Sequence, residues 1–172
     1  ERETLRRCGS KAPHGVDAGL LLVKNSGQQL VVKRFCRAAQ AAGVEAEMPL
    51  ALARAMIPAA LVMEFQPRSD MRALYRLGRW ALRFSPYVGF DSELLAAFQH
   101  GKLDSVDPRC YGLVLDISGS ERLYKGTPNL ARRLLQKFQR WKIEARIALA
   151  PTIGAAWALS RCGPEPLMVA EG

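Results

Sequence analysis

From residue 61 onward, short apolar runs rich in β-formers alternate with longer amphipathic stretches in the order strand, helix, strand, strand, helix, strand, helix. Nothing else in the chain constrains its fold as tightly, because this order suits an α+β sheet covered by helices on one face. Strands are expected at Leu61 to Phe65, Tyr87 to Phe90, Tyr111 to Ile117 and Ile143 to Ala150. Ser69 or Asp70 can cap a long helix reaching Phe84, with Met71, Leu74, Tyr75, Gly78 and Ala81 facing inward. Asp91 to His100 is a helical excursion ending at Gly101. Thr127 and Pro128 make an N-cap and N1 pair for a helix carrying Leu130, Leu134, Phe138 and Trp141, and Ile153 to Arg161 is a last helix of small residues. Short connections predict that the Tyr111 and Ile143 strands lie side by side in one sheet, with the Thr127 helix packed on its face.

Before residue 61 the pattern is more local. Leu20 to Val23 and Gln29 to Lys33 are apolar runs joined by Asn25, Ser26 and Gly27, as in a hairpin. Phe35 to Ala42 reads as a short helix closed by Gly43, and Pro49 opens another through Met56. At 172 residues the chain can bury one sizeable core with a small satellite lobe, and 49% apolar against 24% charged residues excludes the disordered class. The net charge of +9 favours a polyanionic partner, nucleic acid first, although frequent Arg in an Arg- and Ala-rich chain has the same effect. Cys8, Cys36, Cys110 and Cys162 contain no CxxC pair and only His14 and His100 could join them, so neither zinc nor a disulfide framework is expected. No stretch approaches the ~20 apolar residues of a membrane span, so no membrane partner and a reducing cytoplasm are expected. The ends, ERETLRRCGS and GPEPLMVAEG, read as those of a fragment.

Four stretches carry a family resemblance. AAGVEAEMPLALARAM (Ala41 to Met56) resembles the fingers segment of Y-family DNA polymerases, and RLGRWALRFSPYVGFD (Arg76 to Asp91) resembles the helix and strand leading into their palm. YGLVLDISGSERLYKG (Tyr111 to Gly126) resembles the palm strand with its Leu-Asp-Ile-Ser-Gly ending, and ARIALAPTIGAAWALSR (Ala145 to Arg161) resembles the strand and helix that close the domain. The tails of the last two are similar to the ImuB-like branch. The resemblance implies a ferredoxin-like polymerase palm sheet with helices on one face plus a small fingers subdomain. It divides the chain into a fingers-like part at 1–66 lacking the N-terminal palm strand, a palm-like part at 67–165, and at 166–172 the start of a linker to an absent thumb.

The resemblance also implies which groups nucleotidyl transfer would need. That chemistry uses two metal ions held by carboxylates. One set belongs to the N-terminal strand that is not seen here; the other is an Asp-Glu pair whose positions hold Tyr111 and Gly112. Neither side chain can bind Mg²⁺. The Tyr and Arg that grip the triphosphate from the fingers correspond to Arg37 and Gln40, and the palm Lys corresponds to Trp157. No catalytic, nucleotide-binding or metal site is therefore expected, and no cofactor; Mg²⁺ enters only if an active polymerase is supplied with ligands from upstream and from weak candidates. Those are Asp116, which suits a cap on the turn at Ser118 to Ser120, and Asp91 with Glu93, which suit the start of a helix.

Arg122 and Lys125, after the Asp116 strand, are placed to meet a DNA backbone. Arg72, Arg76, Arg79 and Arg83 form one helical stripe, and Arg132, Arg133, Lys137, Arg140 and Lys142 decorate another helix; both read as solvated or protein-docking faces. The function implied is a non-catalytic scaffold in damage-induced translesion synthesis. Its partners, again by resemblance, are DNA, a RecA-like accessory protein, an error-prone replicative-type polymerase and the sliding clamp. The rivals are an active translesion polymerase and a ferredoxin-like protein-interaction module.

Overall fold

The computed structural model describes residues 19–107, 110–141, 143, 145–163 and 167–169. Cys8, His14 and Lys142 lie outside the described residues. The chain forms two compact units, Glu1–Asp70 and Met71–Gly172.

In the first unit, β1 (Leu20–Ser26) and β2 (Gln29–Phe35) form the expected antiparallel hairpin, closed at Ser26 opposite Gln29. Gly27 takes φ +65 there, a value that L side chains adopt at a cost. The strand β3 (Leu61–Glu64) pairs in parallel with β1, giving the order β2-β1-β3. As the central strand, β1 is buried on both faces, which accounts for its unbroken Leu-Leu-Leu-Val run. Leu21 and Val23 enter one core with Val32, Ala39, Val44 and Ala53, while Leu20 and Leu22 meet Phe65 on the other side. The helices α1 (Arg37–Ala41) and α2 (Leu50–Met56) cover the first core. Gly43, at φ +87, ends α1 and lets Val44 donate back to the Ala39 carbonyl at 3.0 Å.

The helix α3 (Pro67–Ala81) begins earlier than the sequence predicts. Proline is preorganised for a first turn, and the Gln66 carbonyl accepts from the amides of Ser69 and Asp70, so neither of those residues is the cap. Met71, Gly78 and Ala81 are buried as expected, but Tyr75 is 56% exposed, its ring stacked 6.2 Å from that of Phe90. Gly78 permits close approach, since a Cβ there would stand 2.9 Å from the Phe90 ring.

In the second unit β4 (Tyr87–Phe90) and β5 (Leu113–Asp116) pair antiparallel, with Tyr87 opposite Asp116 and Phe90 opposite Leu113. Between them run α4 (Ser92–Gln99) and a 3₁₀ turn at Leu103–Ser105, which bury Leu94, Leu103, Val106 and Cys110 with Met71. Buried Ser85 ties the ladder's end, accepting from the Tyr87 amide and donating to the Asp116 carbonyl. After the short α5 (Glu121–Tyr124), α6 (Thr127–Arg140) starts at Thr127 with Pro128 second; Gly126 flanks it and no side chain caps it, contrary to the expected Thr127 cap. It buries Leu130, Ala131 and Leu134, and Phe138 and Trp141 form an aromatic cluster with Trp80. Then come β6 (Ile147–Leu149), shorter than predicted, α7 (Ile153–Cys162), and β7 (Leu167–Val169), a strand where the start of a linker is expected.

One architectural expectation fails. β5 and β6 do not share a sheet: β5 pairs with β4, and β6 pairs in parallel with β7. The reason is physical separation. An apolar cavity of about 580 Å³ is walled by Leu113, Leu115 and Ile117 on one strand segment and by Ile147 and Leu149 on the other, under Leu130 and Leu134 of α6. No backbone ladder bridges that gap among the described residues. The α+β class stands, as three small sheets instead of one continuous palm-like sheet.

Candidate functional site

The residues singled out from sequence fall at two ends of the β4–β5 ladder and on α1. Tyr111 and Gly112 immediately precede β5, beside Phe90 and Asp91 at the end of β4. Asp116 closes the opposite end, about 14 Å beyond Gly112 along the strand at ~3.4 Å per residue. It is exposed, and its Oδ1 accepts from the Ser118 amide at 3.0 Å. Those bonds to Ser118 hold its carboxyl below the ordinary carboxylate value. That is the turn-capping geometry.

Asp91 is engaged on both oxygens. Oδ1 caps α4 by accepting from the amides of Glu93 and Leu94 at 2.9 and 3.5 Å, and Oδ2 accepts from the Trp157 indole at 3.0 Å with the Arg161 guanidinium at 3.8 Å. Trp157 and Arg161 are one helical turn apart on α7, and the guanidinium lies 4.2 Å over the indole. Glu93 is exposed and accepts from the Cys110 thiol at 3.4 Å. Sequence reasoning placed Asp91, Glu93 and Trp157 separately. It missed that Trp157 and Arg161 fasten α7 to the end of β4, 66 residues away in the chain. The only local sign was the four-residue spacing of Trp157 and Arg161.

Ligand atoms of Asp91, Glu93 and Cys110 lie within 4.8 Å of one another. Their chemistry does not suit a hard divalent cation. Both Asp91 oxygens already accept hydrogen bonds, a guanidinium stands beside one of them, and burial followed by the Glu93 contact raises the Cys110 thiol to about 11. Tyr111 and Gly112 add no carboxylate. A cysteine of that pKa is ionised to roughly one part in a thousand at pH 8. Iodoacetamide at pH 8, followed by peptide mapping, is therefore expected to modify exposed Cys162 within minutes and leave Cys110 intact until the chain is unfolded. Equal labelling would contradict the packing around Cys110.

Arg37 and Gln40 are exposed on α1. Arg122 and Lys125 are exposed around α5, where Lys125 holds φ +57 before Gly126 at φ +104 and its carbonyl accepts from Asn129 at 2.8 Å. This turn presents both cations on the surface at the Asp116 end of the ladder. No helix among the described residues is long and apolar enough to cross a membrane.

Residues 16–161 match the model of the impB/mucB/samB family. Protein ImuB of Caulobacter vibrioides, from strain NA1000 / CB15N and from strain ATCC 19089 / CIP 103742 / CB 15, is 34% identical to this chain over 120 residues, covering 70% of the chain. The chain spans 22% of the length of these curated relatives. Among solved structures, the insertion ternary complex of Dbh DNA polymerase superposes with a TM-score of 0.66 at 17% identity, over 99% of this chain and 44% of that one. The post-insertion binary complex of Dbh DNA polymerase gives 0.64 at 16%, over 99% and 44%. At such identity these two show a shared fold.

Proposed function

Because the chain belongs to the impB/mucB/samB family, we propose that it is part of a non-catalytic polymerase-like scaffold that holds DNA during damage-induced translesion synthesis. The observation that carries the non-catalytic reading is the state of Asp91. It follows β4 beside Gly112, one of the positions of the lost Asp-Glu pair, and it is consumed as a helix cap and as the acceptor for Trp157 and Arg161. Trp157 itself stands where active relatives would present a Lys to the triphosphate. Tyr111, Gly112, Arg37 and Gln40 supply neither metal ligands nor phosphate contacts of the required kind, so these residues do not fit Mg²⁺.

In this reading 1–66 is the fingers-like part and 67–165 the palm-like part. The palm is completed by an N-terminal strand lying between β5 and β6, a placement supported by the apolar cavity those strands wall. DNA is met by Arg122 and Lys125. The RecA-like protein, the error-prone polymerase and the sliding clamp are engaged by the whole cytoplasmic protein.

The test is salt dependence. Binding of the full chain to primed DNA, followed by fluorescence anisotropy, is expected to weaken steeply with salt and to vary little with sequence, since the contacts are to phosphates. Each phosphate contact adds ~0.7–0.9 to the slope of log K against log salt, so Arg122→Ala with Lys125→Ala should lower it by about 1.5. An unchanged slope would remove this turn from the DNA surface.

A further inference from the structure

The exposed side of α6 carries a second feature that the DNA-binding reading does not use. A cleft of about 260 Å³ is lined by Phe84, Tyr124, Arg133, Gln136, Lys137 and Arg140. Neither Arg122 nor Lys125 lines it. Arg133, Lys137 and Arg140 recur at i, i+4 and i+7, so they form one exposed row about 10 Å long at 1.5 Å per residue. The helix contains no acidic residue, and among the described residues no carboxylate pairs with these cations. Half-buried Phe84 and Tyr124, 5.9 Å apart between ring centroids, give the cleft an apolar floor. The Tyr124 hydroxyl is anchored to the Arg83 carbonyl at 3.2 Å, so the floor is held in place.

We propose that this cleft docks an acidic peptide segment of a partner protein, its carboxylates paired to Arg133, Lys137 and Arg140 and one apolar side chain seated on Phe84 and Tyr124. The combination of cations with an apolar floor favours a peptide over nucleic acid. A phosphate backbone would use the cations and leave the apolar floor uncovered, whereas an acidic segment with an apolar anchor satisfies both.

The probe is a fluorescein-labelled peptide, Asp-Glu-Asp-Phe-Asp-Glu-Asp, titrated with the full chain at low salt, beside a version with Ser for Phe and labelled oligo(dT). The Phe peptide is expected to bind and the Ser peptide to bind more weakly. Arg133→Glu with Lys137→Glu and Arg140→Glu should weaken the Phe peptide by roughly tenfold or more, with Lys137→Glu alone in the same direction should the triple variant fold poorly. Arg72→Glu with Arg79→Glu on α3 should leave it unchanged, and so should Arg122→Ala with Lys125→Ala. These last two substitutions separate the idea from the DNA proposal, which fails or stands on its own slope. No peptide binding, binding indifferent to the three cations, or oligo(dT) binding that depends on them while the peptide does not bind would each overturn the proposal.

Discussion

No primer extension above a no-enzyme control is expected from the full-length protein with primed template, deoxynucleotides and either Mg²⁺ or Mn²⁺. Two-metal transfer needs carboxylates converging on the ions, and enzymes of this class lose orders of magnitude in rate without correct metal placement. On the proposed reading Tyr111 and Gly112 stand at the Asp-Glu positions, and Asp91, just past the end of β4, is bonded to Trp157 at 3.0 Å and to its own helix. Restoring Tyr111→Asp with Gly112→Glu is expected not to rescue activity. Space is not the obstacle, since a Cβ at Gly112 would meet nothing closer than Arg161 at 3.5 Å. On the same reading the triphosphate would still lack its grips, since Arg37, Gln40 and Trp157 stand at their positions and Trp157 donates to Asp91. Extension by the unaltered protein that disappears in Asp116→Ala, or in Asp91→Ala with Glu93→Ala, would make it an active polymerase.

Leu94→Ala is expected to cost about 2–5 kcal/mol, a large part of the ~5–15 kcal/mol that holds a typical domain. Leu94 is fully buried among Met71, Leu103, Val106 and Cys110, so the lost methyl groups leave a hole with no slack around it. Leu130 is as deeply buried, at 1% exposure, but it borders the 580 Å³ cavity. Leu130→Ala enlarges a void that already exists and should cost near the lower end of that range. Urea denaturation followed by Trp fluorescence measures both. In a longer form whose cavity is filled by a strand, the Leu130→Ala cost should rise to that of Leu94→Ala; equal costs in the 172-residue chain would mean that the cavity is already closed.

Local signals carried most of the elements. The Asn25-Ser26-Gly27 turn, the Gly43 stop, the Asp91 cap and the apolar run before Asp116 each state their own geometry within a few residues. Non-local pairing was not legible. Whether Ile147–Leu149 bonds to β5 depends on what lies between them, and no spacing in the Ile143 to Ala150 run distinguishes a neighbour across a ladder from a neighbour across a cavity. Tyr75 shows a subtler failure, for its helical position points inward on a wheel while its ring escapes to stack on Phe90. At the site, the sequence marks Trp157 only through the family resemblance, which puts it at the position of a palm Lys. Its actual role required Asp91 to be brought alongside, which only the tertiary fold does.

The unbridged gap between β5 and β6 bears on how the isolated chain behaves in solution. Among the described residues no strand pairs with the facing edges of β5 and β6, and unpaired edges are templates for intermolecular pairing. Two molecules can satisfy such edges by exchanging extended segments, so domain swapping and aggregation become hazards at high concentration. The +9 charge opposes that through mutual repulsion, which salt screens. Colloidal stability should thus fall as ionic strength rises, and light scattering from concentrated samples should increase with added salt.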